Sequence, residues 1–556
     1  MVLYILFSLP ALLVLYRSYN LLKNYIIARS LKLPLIVLPA SFDDPLWMLC
    51  RPLFWWVEYL PLGLGDWYAY TDLGWPIPDG LKTVSKLGET FVLVTPTRNQ
   101  ICTAYPGASD VIYKDNKTWI MPEPFSQVFT YYGQNVSSLN GPDWQRHRKI
   151  TAPAFNDQTM RYVWEESMER TNKDLQFLVN GRCTLAEMRT DFSLLAMNVL
   201  ATVGFGQETA LATVPSGHRL SLMESLGFIL KNVLIMIIFA GLKAPDFILP
   251  PMLRQLKLSV SEFRMYMEEA VLRNLQEKKS SRPSLLQSMV NANEAEKNQQ
   301  QVPSGKPSYL TDSELYGNLF VFNLAGFETT AGTMTFALPY LALHPEMQDW
   351  ITEEIDKFFT PTGSAKYQET YPKLVRCMAF MYETLRLAGH APQMIRTPTV
   401  PAEIPIASEN DDTATITSVT VQPNTLITAH FYALHLSPRW GSDAHAFNPK
   451  RFIVTNSEGE GELATPSDKG LSAMFMPWVI GPRVCPGKKF SQVEFVAVIA
   501  QILSQYRVGI DVREEKGETL EQARARLSSV LEEKYFNISA HIKRPGDAGL
   551  RFVRRH

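Results

Sequence analysis

Residues Pro477–Phe490 read PWVIGPRVCPGKKF, and the reading of the chain turns on this loop. Cys485 lies among Pro482, Pro486, Gly481 and Gly487, just before a segment of helical texture from Lys488 to Tyr506. Glycine reaches backbone conformations closed to other residues, and proline stiffens the backbone it joins. Such a loop projects a sulfur from a fixed frame and leaves neighbouring N–H groups free to point at it. Those donors, with the positive end of the following helix, stabilise a thiolate. The pattern suits a cysteine that ligates a metal.

The rest of the chain sets limits on that reading. It has 556 residues, 46% of them hydrophobic, enough for a large core. No Gly/Ser-rich or Pro-rich linker of convincing length divides it. We therefore expect a short N-terminal segment, residues 1–30, and one large catalytic unit, residues 31–556. The 54 basic and 55 acidic residues leave a net charge of -1, which gives no electrostatic footprint for nucleic acid. The five cysteines are few, odd in number and scattered, so they form no disulfide framework. No C-x-x-C pair suggests structural zinc. Cys50, Cys102, Cys183 and Cys377 read as small buried hydrophobes.

Val2–Tyr16, VLYILFSLPALLVLY, is almost wholly apolar. A membrane span needs about 20 apolar residues. Counted on through Leu21, Leu22, Tyr25, Ile26 and Ile27, the segment reaches that length, with Arg17 and Lys23 near the interface. No basic residue precedes the run and no clear small-residue cleavage site follows, which argues against a signal peptide. Arg17, Lys23, Arg29 and Lys32 all follow it, which predicts a single-pass anchor with the catalytic unit in the cytosol. The sequons at Asn116, Asn135 and Asn537 would then carry no glycan. A second apolar stretch, residues 226–242, is either a buried helix or a surface segment that dips into a bilayer beside a substrate entrance.

Helical periodicity marks 164–178 and 260–278. The polar stretch 279–307 reads as an exposed loop. Thr311 and Glu314 form a capping-box pattern that opens a long apolar helix over 312–343, and Pro345 starts the next. Residues 400–427, rich in Thr, Val, Ile and Pro, predict short strands and turns. The fold class is mainly α with a small β-rich part.

The cysteine loop resembles the haem-binding signature of the cytochrome P450 family, F-x-x-G-x-R-x-C-x-G. Gly481, Arg483, Cys485 and Gly487 match it, and Trp478 stands where Phe is usual. Three further motifs resemble the family's in the family's order. DWQRHRK supplies Trp144 and Arg148 of W-x-x-x-R, which the resemblance makes haem-propionate donors. AGFETT, residues 325–330, sits inside the long helix; Gly326 would let a flat cofactor approach, and the resemblance makes Glu328 and Thr329 the proton-delivery pair. MYETLRL supplies Glu383 and Arg386 of E-x-x-R, and FNPKRF adds Arg451. That trio reads as a scaffold, since a buried charge network survives only when fully paired. Arg396 is a further candidate propionate partner.

The resemblance implies haem b ligated by Cys485 and a monooxygenase acting on an apolar small molecule. It also implies endoplasmic-reticulum attachment and electrons from NADPH through a separate reductase. Lys488, Lys489, Arg146 and Lys149 are a candidate docking face for that reductase. The cysteine region is similar to fungal secondary-metabolite enzymes; fatty-acid or xenobiotic hydroxylation is the alternative. A haem-thiolate isomerase, dehydratase or peroxide user shares the fold, but needs no Glu328–Thr329 pair. A non-enzymatic membrane scaffold or haem carrier would show no thiolate-type spectrum.

Overall fold

In the computed structural model the longest helix runs from Asp312 to Leu343, the span expected from the sequence. Thr311 accepts from the Glu314 backbone while the Glu314 carboxylate accepts from the Thr311 N–H, so the capping box closes. The structure describes residues 2–126, 129–206, 213–233, 235–236, 245–276, 284–299, 307–360, 365–407, 416–456, 461–464 and 472–555. Of the first helix, Val2–Ser30, side chains are described from Pro10 onward.

The long helix is buried from Leu315 to Leu343 on nearly every side, because other helices surround it. Leu185–Val199 packs along it, and Val375–Leu387 lies between it and Lys488–Gln505. Lys488–Gln505 in turn packs on Asp157–Asp174. One apolar core joins these elements through Phe192, Phe336, Phe380 and Phe495. To one side lies a six-stranded sheet in the order Leu35–Val37, Thr90–Val94, Asn99–Thr103, Leu426–His430, Gln393–Pro398, Trp119–Ile120. The expected β texture of 400–427 becomes the antiparallel pair Ala402–Ala407 and Ile416–Val421, followed by Leu426–His430. Residues 408–415 lie outside the described residues.

Three expectations need correction. Within the polar stretch 279–307, residues Leu285–Gln299 form a helix, with Leu285, Leu286, Met289 and Val290 buried. Four apolar side chains at helical spacing outweigh a polar outer face. Residues 279–283 and 300–306 of that stretch lie outside the described residues. Cys50 is exposed, whereas Cys102, Cys183 and Cys377 are buried as expected. The N-terminal helix does not stay apolar and free through Ile27. Leu21 and Tyr25 pack on the body, Ala28 is fully buried, Asn24 donates to the Thr95 carbonyl at 2.8 Å, and Asn99 donates to the Asn24 carbonyl at 2.9 Å. Among the described residues, no helix is long and apolar enough to cross a membrane.

For residues 226–242 the buried alternative describes the first part. Leu222–Lys231 is a helix with Leu226, Ile229 and Leu230 in the core; residues 234 and 237–244 lie outside the described residues. Asn135 is fully buried, so that sequon is closed to a glycan in the folded chain.

Candidate active site

The cysteine loop gets its shape from one glycine above all. Gly481 has φ +74°, and a Cβ there would lie 2.3 Å from the Tyr113 carbonyl oxygen, so both backbone and space demand glycine. Val479, β-branched and at φ 62°, is strained in the same loop. The Cys485 N–H donates to the Trp478 carbonyl at 3.0 Å, which ties the two halves together. Helix Lys488–Gln505 follows at once; the Lys488 N–H donates to the Cys485 carbonyl at 3.3 Å, and the Gly487 and Lys488 N–H groups lie near the sulfur. Burial raises the thiol pKa; those N–H groups, Arg148 and Lys488 oppose that rise. Trp478 meets the Tyr382 ring edge-on at 5.6 Å and donates from Nε1 to Ser491 Oγ at 3.2 Å.

Cys485 is exposed, but what it faces is an internal cavity of about 340 Å³. Trp478, Cys485 and Gly487 form one wall, with Ala325, Gly326 and Thr329 of the long helix among the other lining residues. Ala325 lies exposed in the middle of an otherwise buried helix, because its side chain opens on this space.

Arg483 lines the cavity, and Arg396 and Arg148 lie close to its lining residues Arg483 and Cys485. Arg396 is 2% exposed; its guanidinium lies over the Tyr113 ring at 5.3 Å and, among the described residues, donates only to its neighbour's carbonyl, Ile395 O, at 2.9 Å. Arg483 stacks on Trp144 at 4.9 Å, donates to Asn140 Oδ1 at 2.9 Å and to the Leu139 carbonyl, and keeps a buried Nε without a partner. Burial, and secondarily the Arg396 charge, pushes its pKa down to about 10. Arg148 is half-buried and close enough to feel the Cys485 sulfur. Among the described residues, none of the three forms an ion pair. Buried cations without anions are costly, and a dianionic ligand is what would complete them. A thiol on the floor, an apolar slot and these cations fit a flat, carboxylate-bearing macrocycle such as haem.

Glu383 and Arg386 make the opposite arrangement. Arg386 grips Glu383 bidentately at 2.7 and 2.8 Å, both side chains at 0% exposure, and donates also to the His435, Ala444 and Ala446 carbonyls. Arg451 reaches Glu383 at 3.1 Å and Asp443 at 3.0 Å. The Asn448 N–H completes the Glu383 carboxylate at 2.8 Å. This network ties helix Val375–Leu387 to the segment that leads toward the cysteine loop.

Glu328 and Thr329 diverge from one another. Thr329 lines the cavity and donates from Oγ1 to the Ala325 carbonyl at 2.8 Å. Glu328 turns away, toward Arg189, His541 Nε2 at 3.0 Å and Ser539 Oγ at 3.0 Å. Burial would raise its carboxyl pKa, but hydrogen bonds and charge from His541 and Arg189 hold it down to about 2. One turn on, Thr333 donates to the Thr329 carbonyl and so accepts from His390 Nε2 at 2.9 Å. Burial drives the His390 pKa down to about 3, so the ring is neutral and its Nδ1 is a buried acceptor with no partner among the described residues. Arg189, Ser539, His541, Thr333 and His390 escaped the sequence reading. His390 lies only four residues past Arg386, and that proximity to a recognised motif was the one usable signal.

Gly326 lines the cavity, where an added Cβ would lie 3.0 Å from the Leu200 side chain. Of the candidate docking face, Arg146 is bound by Glu314 at 2.6 Å and Lys149 by Glu296 at 2.6 Å. Lys488 and Lys489 stay exposed beside Trp478 and Tyr371.

Comparison with known proteins agrees with this geometry. The family profile described as Cytochrome P450 matches residues 84–538. Cytochrome P450 monooxygenase 124 of Postia placenta is 31% identical over 419 residues, 73% of this chain and 75% of the relative. The phomenoic acid biosynthesis cluster cytochrome P450 monooxygenase of Leptosphaeria maculans is 27% identical, covering 94% of each chain. Cytochrome P450 monooxygenase ORF6 of Penicillium roqueforti is 26% identical, covering 91% of this chain and 92% of its own. The chain belongs to the cytochrome P450 family of monooxygenases, oxidoreductases whose cofactor is haem.

Proposed function

We propose that this protein inserts one oxygen atom from dioxygen into an apolar small molecule of fungal secondary metabolism, with Cys485 as the residue that would hold the haem iron. The observation that carries the reading is one cavity lined by both the Cys485 sulfur and Arg483, with Arg148 and Arg396 close by and no carboxylate on any of the three among the described residues. When bound, the haem supplies the redox chemistry of dioxygen, and a thiolate ligand favours O–O cleavage. The chain does the rest. Gly487 and Lys488 hold the sulfur's charge through their N–H groups. Arg148, Arg396 and Arg483 seat the propionates. Leu200, Val321 and Phe155 keep the distal space apolar and dry. Thr329 turns its hydroxyl proton from the Ala325 carbonyl into the cavity, and Glu328 is replenished through Ser539 and His541.

Electrons would come from NADPH through a separate reductase docking beside Lys488 and Lys489. The apolar Val2–Tyr16 run, followed by Arg17, Lys23, Arg29 and Lys32, supports attachment to the endoplasmic-reticulum membrane with the catalytic body in the cytosol. The kinship with a phomenoic acid cluster enzyme favours secondary metabolism over fatty-acid or xenobiotic hydroxylation.

The test is the reduced carbon monoxide spectrum of the purified protein, wild type against Cys485→Ser. The wild type should show the thiolate-type Soret band and support NADPH- and reductase-dependent oxidation; the variant should keep its circular dichroism and lose both. Nitrogen or oxygen ligation in the wild type, or oxidation that survives the substitution, would end the proposal.

A further inference from the structure

The hairpin made by strands Lys534–Asn537 and Ser539–Ile542 turns on a single residue, Ile538. Asn537 pairs with Ser539, so Ile538 stands alone at the tip, at φ 65°. Glycine or asparagine reaches that conformation at little cost, whereas a β-branched residue is strained there. A local rule broken in a tight turn marks a residue kept for another task. Ile538 lines the cavity together with Thr329 and Cys485.

The next residue in the chain serves Glu328. Ser539 is fully buried and donates from Oγ to Glu328 Oε1 at 3.0 Å. His541, two residues along the strand and so on the same face, meets that oxygen from Nε2 at 3.0 Å. Arg189 is the third contact of the same oxygen among the described residues. It belongs to helix Leu185–Val199, which packs along the long helix and shares its frame. Ser539 and His541 instead travel with the hairpin.

The base of the hairpin is pinned. Lys534 donates from Nζ to the Leu387 carbonyl at 2.9 Å and lies over the Tyr432 ring at 5.8 Å, and the Lys543 N–H donates to the Glu533 carbonyl at 2.8 Å. A load on Ile538 is therefore taken up at the tip, one peptide bond from Ser539. A hydrogen bond is lost by about 3.6 Å, so a tip movement of less than about 1 Å suffices to release these contacts.

We propose that this hairpin couples occupancy of the cavity to the position of Glu328. With the cavity empty, Ser539 and His541 hold the carboxylate turned away from it. An apolar molecule pressing on Ile538 draws both off, leaves the carboxylate to Arg189, and frees it to turn toward Thr329. Ser539 and His541 are positioning residues, and Ile538 is the sensor. The inference rests on the reading of Glu328 as a proton donor to that cavity, and it makes delivery conditional on a filled cavity.

Full-length haem-loaded protein is saturated with imidazole, phenylimidazole or tritylimidazole, which share an iron-binding nitrogen and differ in apolar bulk. The Soret shift reports entry. Infrared difference spectra report the Glu328 carboxylate, its band assigned by its loss in Glu328→Gln. In the wild type the band should shift with tritylimidazole, less with phenylimidazole, and not with imidazole. Ile538→Gly suits φ 65° and keeps the turn; it should bind all three probes with the band unmoved. Ser539→Ala should show a displaced band before any probe is added. A band that stays still in wild type saturated with tritylimidazole overturns the coupling. So does a full shift in Ile538→Gly, or a probe-free Ser539→Ala band that matches wild type. The haem reading survives each of these results. A Soret band indifferent to all three probes overturns both.

Discussion

Two arginine clusters lie within this fold, and they differ in what completes them. Around Glu383, every cation has a protein anion or carbonyl: Arg386 takes both carboxylate oxygens and three carbonyls, and Arg451 adds Asp443. Around the cavity, Arg148, Arg396 and Arg483 have no carboxylate among the described residues, and Arg483 keeps an orphaned Nε. The first cluster is finished by the polypeptide, so its energy goes into folding. The second waits for a ligand, so its energy goes into binding. Burial alone does not separate the two, since Arg396 is nearly as buried as Arg386. The count of anions does.

The largest test of this contrast is Glu383→Ala. It leaves Arg386 in the core without a carboxylate, while Arg451 keeps Asp443, and should destabilise by about 3–5 kcal/mol, with or without haem. Thermal unfolding of both forms checks it; a loss confined to the haem-bound form would break the comparison. Next, Arg396→Leu should weaken haem retention by about 1.5–3 kcal/mol, the usual worth of a hydrogen bond to a charged group. The haem-free protein should be no less stable, because a buried unpaired cation has gone. Haem transfer to an acceptor protein, with haem-free melting in parallel, decides this.

Glu328 sharpens the comparison from the acid side. Its folded pKa is depressed, about 2 against an ordinary 4.5, so its contribution is fully present above pH 4.5 and fades as pH falls toward 2. Stability of the wild type should therefore drop by on the order of 2 kcal/mol more than that of Glu328→Gln across this window. Parallel slopes in urea melts at stepped pH would remove His541 and Arg189 as its partners. The smallest effect belongs to Lys149→Ala. Its pair with Glu296 involves a side chain 64% exposed, so stability should move by less than about 1 kcal/mol in a denaturant titration.

What could be read from the amino-acid order follows the same division between local and distant causes. The turn at Gly481, the capping box at Thr311 and the Glu383–Arg386 pair each arise within a few residues, and local spacing exposes them. The helix Leu285–Gln299 was hidden by its own polar face, although Leu285, Leu286, Met289 and Val290 carried the period. The partners of Glu328 were out of reach for a different reason. Arg189 stands 139 residues before it and Ser539 211 residues after it, so only the folded topology brings them to one carboxylate. Arg146 looked like a free surface cation because nothing nearby in sequence announces Glu314, 168 residues on.

The joint between Asn24 and the strand residues Thr95 and Asn99 has a mechanical consequence. With Ala28 sealed beneath it and Arg17 held by Asp44, the last turns of the first helix cannot pivot against the body. Whatever grips the start of that helix therefore steers the whole molecule as a rudder post steers a blade, and fixes the bearing of the cavity mouth instead of letting it swing on a tether.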